Sequence, residues 1–325
     1  MSVPELDPQI IEVLRRLEES GSPAVETLPP EQARLNFARL AEEQFGEVDE
    51  MHSIEDADAR GVPVRIYRPV ESAGPSLGLV YFHGGGWVVG SIETHDGLAR
   101  ALARRAGCVV ISVDYRLAPE HPYPAALEDC WTAARWVLES ARELRLDEER
   151  IGVGGDSVGG ALATIVARKG RDVGMPFAAQ LLLYPTTTTR IDTPSYSLYS
   201  SGYGLTRSAM VWYWKQYLGD SDGSTNPDIS PSALTDMRRL PRSIVVTAEA
   251  DVLRDEAETY AQRMFLAGTE TEGYRYDGMI HGFLRMAGVV DRSRAAFDEI
   301  AESLRPALAK GWREDFSARQ APSGS

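Results

Sequence analysis

Ile151-Gly152-Val153-Gly154-Gly155-Asp156-Ser157-Val158-Gly159-Gly160-Ala161-Leu162-Ala163-Thr164-Ile165-Val166 reads as three things in succession: an apolar strand, a glycine-bounded turn and a helix of small residues. The G-x-S-x-G pattern at its centre marks a strained strand-to-helix turn that exposes a serine hydroxyl. A Cβ at Gly155 or Gly159 would clash where the chain turns sharply and the helix packs close. The chain holds two further matches to the pattern, and context rejects both. Gly74-Pro75-Ser76-Leu77-Gly78 precedes a strand, and Gly219-Asp220-Ser221-Asp222-Gly223 follows a helix. Neither has a strand before it and a helix after it. The competing reading of a glycine-rich strand-helix turn is a phosphate cradle, and the residues considered next weigh against it.

Outward from this turn, short apolar runs recur at 77–82, 108–113, 180–184, 243–248 and 273–276. Such runs suit strands buried on both faces. Val62, Val64 and Ile66 alternate around Pro63, which places that proline at the start or edge of a sheet. Helical segments at 94–106, 124–144, 158–169 and 253–267 fall between the strands. The alternation predicts an α/β fold with a mostly parallel central sheet flanked by helices. Two amphipathic helices are expected first, over 7–20 and 31–45. Residues 186–228 break the rhythm: they are polar and aromatic, with a helix expected near 207–218. With residues 1–45 they are expected to form a helical cap, inserted between core segments 46–185 and 229–312 and followed by a loose tail, 313–325.

Serine is a weak nucleophile without an adjacent base. A nucleophile on this kind of turn takes its acid, then its histidine, from later in the chain. Of His52, His83, His95, His121 and His281, only His281 follows Ser157. It lies in a loop just after the last expected strand. The acid should follow the 243–248 strand, where Asp251 is the choice and Glu249 the runner-up. Asp255 and Glu256 are expected to open the next helix, where acids favour the N-terminal dipole. His83-Gly84-Gly85-Gly86-Trp87 ends another strand. Three glycines let backbone amides converge on an oxyanion. Gly85 and Gly86 are expected as donors together with the amide of Val158, Gly84 shapes the turn, and His83 fixes the loop by hydrogen bonds. A Walker lysine and G-x-G-x-x-G spacing are both missing from this loop.

Composition narrows the function. The formal net charge of −14 over 325 residues disfavours nucleic acid and anionic membrane surfaces. No apolar run is long enough to span a bilayer, and no basic, then apolar, leader opens the chain. A cytoplasmic address is therefore expected. Cys108 and Cys130 form no C-x-x-C pair and read as reduced core residues. No metal site is expected. Tyr196, Tyr199, Tyr203, Trp212, Tyr213, Trp214, Tyr217 and Trp87 have two open readings, as the lining of a substrate pocket or as the cap's own core.

Taken in order, His83-Gly84-Gly85-Gly86-Trp87, then Asp114-Tyr115-Arg116-Leu117-Ala118-Pro119-Glu120-His121-Pro122, then Gly155-Asp156-Ser157-Val158-Gly159-Gly160, then Asp251 with Leu253-Arg254-Asp255-Glu256, then His281-Gly282-Phe283 resemble the hormone-sensitive-lipase-like (family IV) bacterial esterases of the α/β-hydrolase superfamily. The resemblance spans roughly residues 50 to 305. It implies a capped α/β-hydrolase that cleaves short- to medium-chain carboxylic esters without a cofactor, and an assembly in which two copies pair through a sheet edge. Val158 stands where the family usually has Ala, adding bulk beside the nucleophile. Val252 stands where it usually has Pro. The same residues would serve an amide, carbamate or lactone. A hormone-binding role like that of the plant gibberellin receptors is disfavoured, since those proteins share the fold but lack the histidine retained here as His281.

Overall fold

The computed structural model describes residues 4–318, and the side chains of 313–318 are outside the description. The chain opens with helices α1 (Pro8–Glu19) and α2 (Pro30–Phe45). The Asp7 side chain caps α1 by accepting from the Gln9 amide at 2.7 Å, with Pro8 at the first helical position, both favoured start signals. The core then runs β1 (Ser53–Asp58), β2 (Pro63–Arg68), β3 (Ser76–Phe82), α3 (Asp96–Ala106), β4 (Val109–Val113), α4 (Ala125–Glu139), β5 (Leu146–Asp156), α5 (Val158–Asp172) and β6 (Ala179–Leu183). Helices α6 (Pro194–Leu198) and α7 (Arg207–Leu218) interrupt it. It resumes with β7 (Arg242–Ala250), α8 (Arg254–Leu266), β8 (Thr271–Ile280) and α9 (Asp291–Ala318), the last broken at Gly311.

Among the described residues the strands form one eight-stranded sheet in the order β1-β2-β4-β3-β5-β6-β7-β8. β1 and β2 are antiparallel to their neighbours, and every pair from β4 to β8 is parallel. The mostly parallel α/β sheet read from the sequence is the one found. All five residues of β4 and all five of β6 are buried, as befits strands covered by helices on both faces. Pro63 is the first residue of β2, where its missing N–H is tolerated.

Three elements depart from expectation. β1 is an edge strand, Ser53-Ile54-Glu55-Asp56-Ala57-Asp58, in which none of the six residues is buried. β5 starts at Leu146, five residues earlier than its apolar run, because Leu146 pairs with Ser76 ahead of a register shift that resumes at Ile151 opposite Gly78. Helix α9 occupies 291–318, so the 313–325 tail begins inside a helix; residues 319–325 lie outside the described ones. Cys108 and Cys130 are both free and buried, and burial pushes the Cys108 thiol up to about 12. No helix among the described residues is long and apolar enough to cross a membrane.

The parallel arrangement decides where chemistry can sit. The C-terminal ends of β3, β5, β7 and β8 all open on one side of the sheet, the side on which ligands bind in open α/β sheets. They deliver His83-Gly84-Gly85-Gly86, Ser157, Asp251 and His281 to that edge.

Candidate active site

Ser157 sits between the last residue of β5 and the first of α5, with φ 56° and ψ −120°. A non-glycine residue in this region is strained, and its neighbours hold it there. Its amide donates to the Leu183 carbonyl at 2.8 Å, and its carbonyl accepts from Gly160, Ala161 and Thr186. The flanking glycines are required by close approach. A Cβ on Gly159 would lie 2.0 Å from the Phe82 carbonyl oxygen, and one on Gly155 would lie 2.4 Å from Gly159 backbone. Of the two rejected G-x-S-x-G matches, the first runs into β3, with Ser76 as its first residue, and the second lies in the turn after α7.

His281 follows β8 directly, and Asp251 follows β7 directly. The His281 Nε2 lies 3.0 Å from Ser157 Oγ, and its Nδ1 lies 2.7 Å from Asp251 Oδ2. The other Asp251 oxygen accepts from the Leu253 amide at 2.9 Å, and the residue is 1% exposed. Of the two acids weighed at the end of β7, Asp251 is the one that meets the imidazole. Glu249 accepts from the Gly278 amide at 2.8 Å and so fastens the strand that carries His281. The ring of Tyr184 stands edge-on to His281, with centroids 4.9 Å apart.

The glycine loop after β3 is held open by contacts on three sides. Gly85 and Gly86 have φ of 120° and 62°. A Cβ on Gly85 would lie 2.1 Å from the Val89 carbonyl oxygen, and one on Gly86 would lie 2.0 Å from the Tyr213 ring. The Gly85 carbonyl accepts from Val88 and Val89, and Gly84 donates its amide to Asp156 Oδ1 at 2.8 Å. His83 is fully buried, and its Nδ1 lies 2.7 Å from the Gly84 carbonyl. Burial, then the charge of His95, hold His83 down at about 3, so it is a neutral donor here. Val158, across from this loop at the head of α5, presents its amide at the first helical position, and its side chain is buried in the core.

Three residues that the sequence reading gave no part in the site are prominent here. Asp156, 2% exposed, accepts from Gly84 and from the Tyr81 hydroxyl, both at 2.8 Å, and meets His95 Nε2 at 3.3 Å. Burial would raise its carboxyl, but the charge and bond of His95, with Arg285 and Tyr81, outweigh it and hold the carboxyl well below the usual range. Tyr115 stacks on His83 at 4.2 Å and donates to the His83 carbonyl at 2.7 Å. Glu256 is buried in the first turn of α8. The one signal available for Asp156 and Glu256 was a charge amid residues otherwise destined for the core.

The aromatic segment divides. Tyr196, Tyr199, Tyr213, Trp214 and Tyr217 are buried, and Trp87 stacks flat on Tyr217 with centroids 4.3 Å apart. Tyr213, Trp214 and Tyr217 therefore pack α7 onto the glycine loop, while Tyr199 meets Tyr203 and Arg254. Arg34 of α2 reaches the same loop, donating to the Val88 carbonyl at 2.8 Å and the Ala118 carbonyl at 3.0 Å. A cavity of about 290 Å³ lies between the first helices and α7, lined in part by Phe37, Val89 and Tyr213.

Residues 79–285 match the family described as the α/β-hydrolase fold. The chain is 41% identical over 252 residues to carboxylesterase NlhH of Mycobacterium tuberculosis, covering 76% of this chain and 79% of that one. It is 34% identical over 318 residues to the ethyl acetate hydrolase of Pseudomonas putida, covering 93% and 99%. Among solved structures it is similar to an α/β-hydrolase enzyme from the metagenome of Lake Arreo, Spain, with a TM-score of 0.90 and 36% identity over 94% of this chain and 99% of that one. With this fold, this match and these relatives, the chain belongs to the α/β-hydrolase fold family, in its hormone-sensitive-lipase-like branch of carboxylic ester hydrolases.

Proposed function

We propose that the protein is a serine carboxylesterase that hydrolyses short- to medium-chain carboxylic esters through a Ser157-His281-Asp251 triad. The observation that carries this reading is the continuous relay from Ser157 Oγ to His281 Nε2 at 3.0 Å and from His281 Nδ1 to Asp251 at 2.7 Å. It joins three separate strand ends at the edge where this fold keeps its chemistry. The names of the relatives, carboxylesterase, arylesterase and ethyl acetate hydrolase, agree with it.

The steps follow from the residues. Asp251 takes the Nδ1–H bond, which leaves Nε2 as the lone-pair nitrogen facing Ser157. Ser157 attacks the ester carbonyl while His281 takes its proton, and Asp251 stabilises the imidazolium. The amides of Gly85, Gly86 and Val158 hold the oxyanion. His281 then protonates the departing alcohol, and water, activated by the same imidazole, releases the acid from the acyl-enzyme. No cofactor enters these steps. The first 45 residues and 186–228 act as the cap, a role supported by Tyr213 against Gly86 and by the bond from Ser208 to Glu26 that ties the two parts together. The partner is a small-molecule ester, and the working compartment is the cytoplasm. Two copies pair along a sheet edge, where β1 and β8 are the free strands.

Hydrolysis of p-nitrophenyl acetate, butyrate, octanoate and palmitate tests this, run beside Ser157→Ala. Turnover should fall away toward palmitate, and Ser157→Ala should lower kcat by on the order of 10⁴–10⁶. Unchanged turnover in that variant would sink the assignment.

A further inference from the structure

Glu256 is placed where an acid is costly, and no cation among the described residues pairs with it. It is 3% exposed. Its Oε1 accepts from the Thr186 hydroxyl at 3.0 Å, the Thr187 amide at 2.6 Å and the Thr188 amide at 3.3 Å. Its Oε2 is buried with no hydrogen-bond partner among the described residues. The Thr187 hydroxyl returns a bond to the Glu256 carbonyl at 3.2 Å. The segment so gathered, 186–188, is the start of the insertion that carries α6 and α7. It also touches the chemistry, since the Thr186 amide donates to the Ser157 carbonyl at 3.3 Å. From the other side, Glu256 rides on the helix whose leading loop holds Asp251, and a second tie is made nearby. There Ser195 donates its hydroxyl to the Val252 carbonyl at 2.7 Å and its amide to Asp255 at 2.8 Å.

We propose that Glu256 is a positioning residue of the hydrolytic site. Its carboxyl locks the entrance of the 186–228 insertion to the Asp251 loop and, through Thr186, to the Ser157 turn. This rests on the ester-hydrolase reading above and adds to it a residue that touches neither substrate nor the relay. A helix-dipole role alone would be met by an exposed acid. Three donors converging on one oxygen, drawn from a different element, fix a distance between two parts of the site.

The charge state gives the proposal a signature. Burial pushes the Glu256 carboxyl up to about 8; the bonds from Thr187, Thr186 and Thr188 oppose this, and the charge of Asp251 adds to it. The groups that face it are Asp251 from the loop after β7, the Tyr196 ring from α6, and Thr186 to Thr188 from the end of β6. The charged groups beside them are engaged elsewhere, Arg254 on Asp255 and Arg275 on Glu258. At neutral pH Glu256 is therefore mostly uncharged, and above about 8 it gains a buried charge that its three donors favour but that repels Asp251 and so displaces the Asp251 loop.

The test compares wild type, Glu256→Gln and Glu256→Ala for kcat, KM, thermal midpoint and the pH profile of kcat/KM on p-nitrophenyl butyrate. The amide oxygen of Gln can take the same three bonds, so Glu256→Gln should stay within about threefold of wild type at pH 7 and lose the alkaline fall that wild type shows near pH 8. Glu256→Ala should lose at least tenfold in kcat with KM nearly unchanged. Wild-type kcat in a folded Glu256→Ala variant overturns the proposal, and so does an alkaline limb identical in wild type and Glu256→Gln. The second arm decides the matter where the Ala variant does not fold. Ser157→Ala, run alongside, separates the two kinds of failure. Full turnover there overturns the triad and this proposal with it. An inactive Ser157→Ala with indifferent Glu256 variants overturns the role of Glu256 alone.

Discussion

Gly86→Ala places a single methyl group where the glycine loop meets α7. The added Cβ would lie 2.0 Å from Cδ1 of Tyr213 and 2.3 Å from its Cγ, where ordinary carbon contacts are about 3.5–4.0 Å. Either the ring or the loop must move by more than about 1 Å. Tyr213 is buried in α7 and belongs to the core cluster, so the loop is the softer partner. A displacement of that size in a group that must meet the oxyanion costs about 10²-fold, and full loss of one donor costs 10²–10³, or about 3–4 kcal/mol. The φ of 62° at this position adds about 1–2 kcal/mol of backbone strain for any residue with a Cβ. Gly86→Ala should therefore lower kcat on p-nitrophenyl butyrate by two to three orders of magnitude and change KM little. The second variant separates the causes. Gly86→Ala with Tyr213→Ala removes the overlap and leaves the φ strain, so its kcat should recover at least tenfold over the single variant, measured against Tyr213→Ala alone. A folded Gly86→Ala enzyme with wild-type kcat would refute the placement of the Gly86 amide at the oxyanion.

Two further outcomes follow from the relay and from the cluster behind the loop. Asp251→Asn keeps the shape of the loop but no longer fixes the His281 tautomer, so kcat should fall by about 10⁴; a loss under tenfold in steady-state assays would contradict the proposed role of the acid. His83, held at about 3 by burial, ionises near 6.5 once unfolded. Its contribution to stability is complete above that unfolded value and is lost as pH falls from 6.5 toward 3. About 2 kcal/mol should disappear between pH 6.5 and pH 5, and an equal thermal midpoint at pH 7 and pH 5 would count against a neutral buried His83.

What could be read in the sequence was what is local. β4 and β6 are continuous apolar runs, and burial on both faces makes that pattern necessary, so the parallel sheet was legible. Ser157 was legible because the glycines its turn requires stand two residues to either side of it, although the Phe82 backbone that Gly159 must clear comes from β3. Strand β1 was not, because an acidic edge strand has no buried face to impose alternation. Helix α9 was overlooked although its signal was present: Phe297, Ile300, Ala301, Leu304 and Leu308 are buried at helical spacing. Asp156 and Glu256 are a different case. The first finds Gly84 and His95 at separations of 72 and 61 residues, and the second finds Thr186 at 70. No pattern along the chain encodes such pairings, so an acid in a glycine-rich turn and an acid in a first helical turn look ordinary until the strands bring their partners in.

These long-range pairings also explain why the nucleophile can occupy a strained backbone. A residue at φ 56° costs on the order of 1–3 kcal/mol and persists only if its surroundings over-determine it. At Ser157 the determinants are all backbone: one donated bond to Leu183, three accepted bonds, and two glycines whose neighbours leave no space for a Cβ. The serine side chain contributes nothing to holding the turn, and its hydroxyl bonds to His281. The strain is therefore stored by the scaffold and not by the reacting group. Removing the hydroxyl leaves every determinant of the turn in place, so Ser157→Ala should fold with the same backbone at the turn. The activity it loses then measures the nucleophile and not the stability of the loop that presents it.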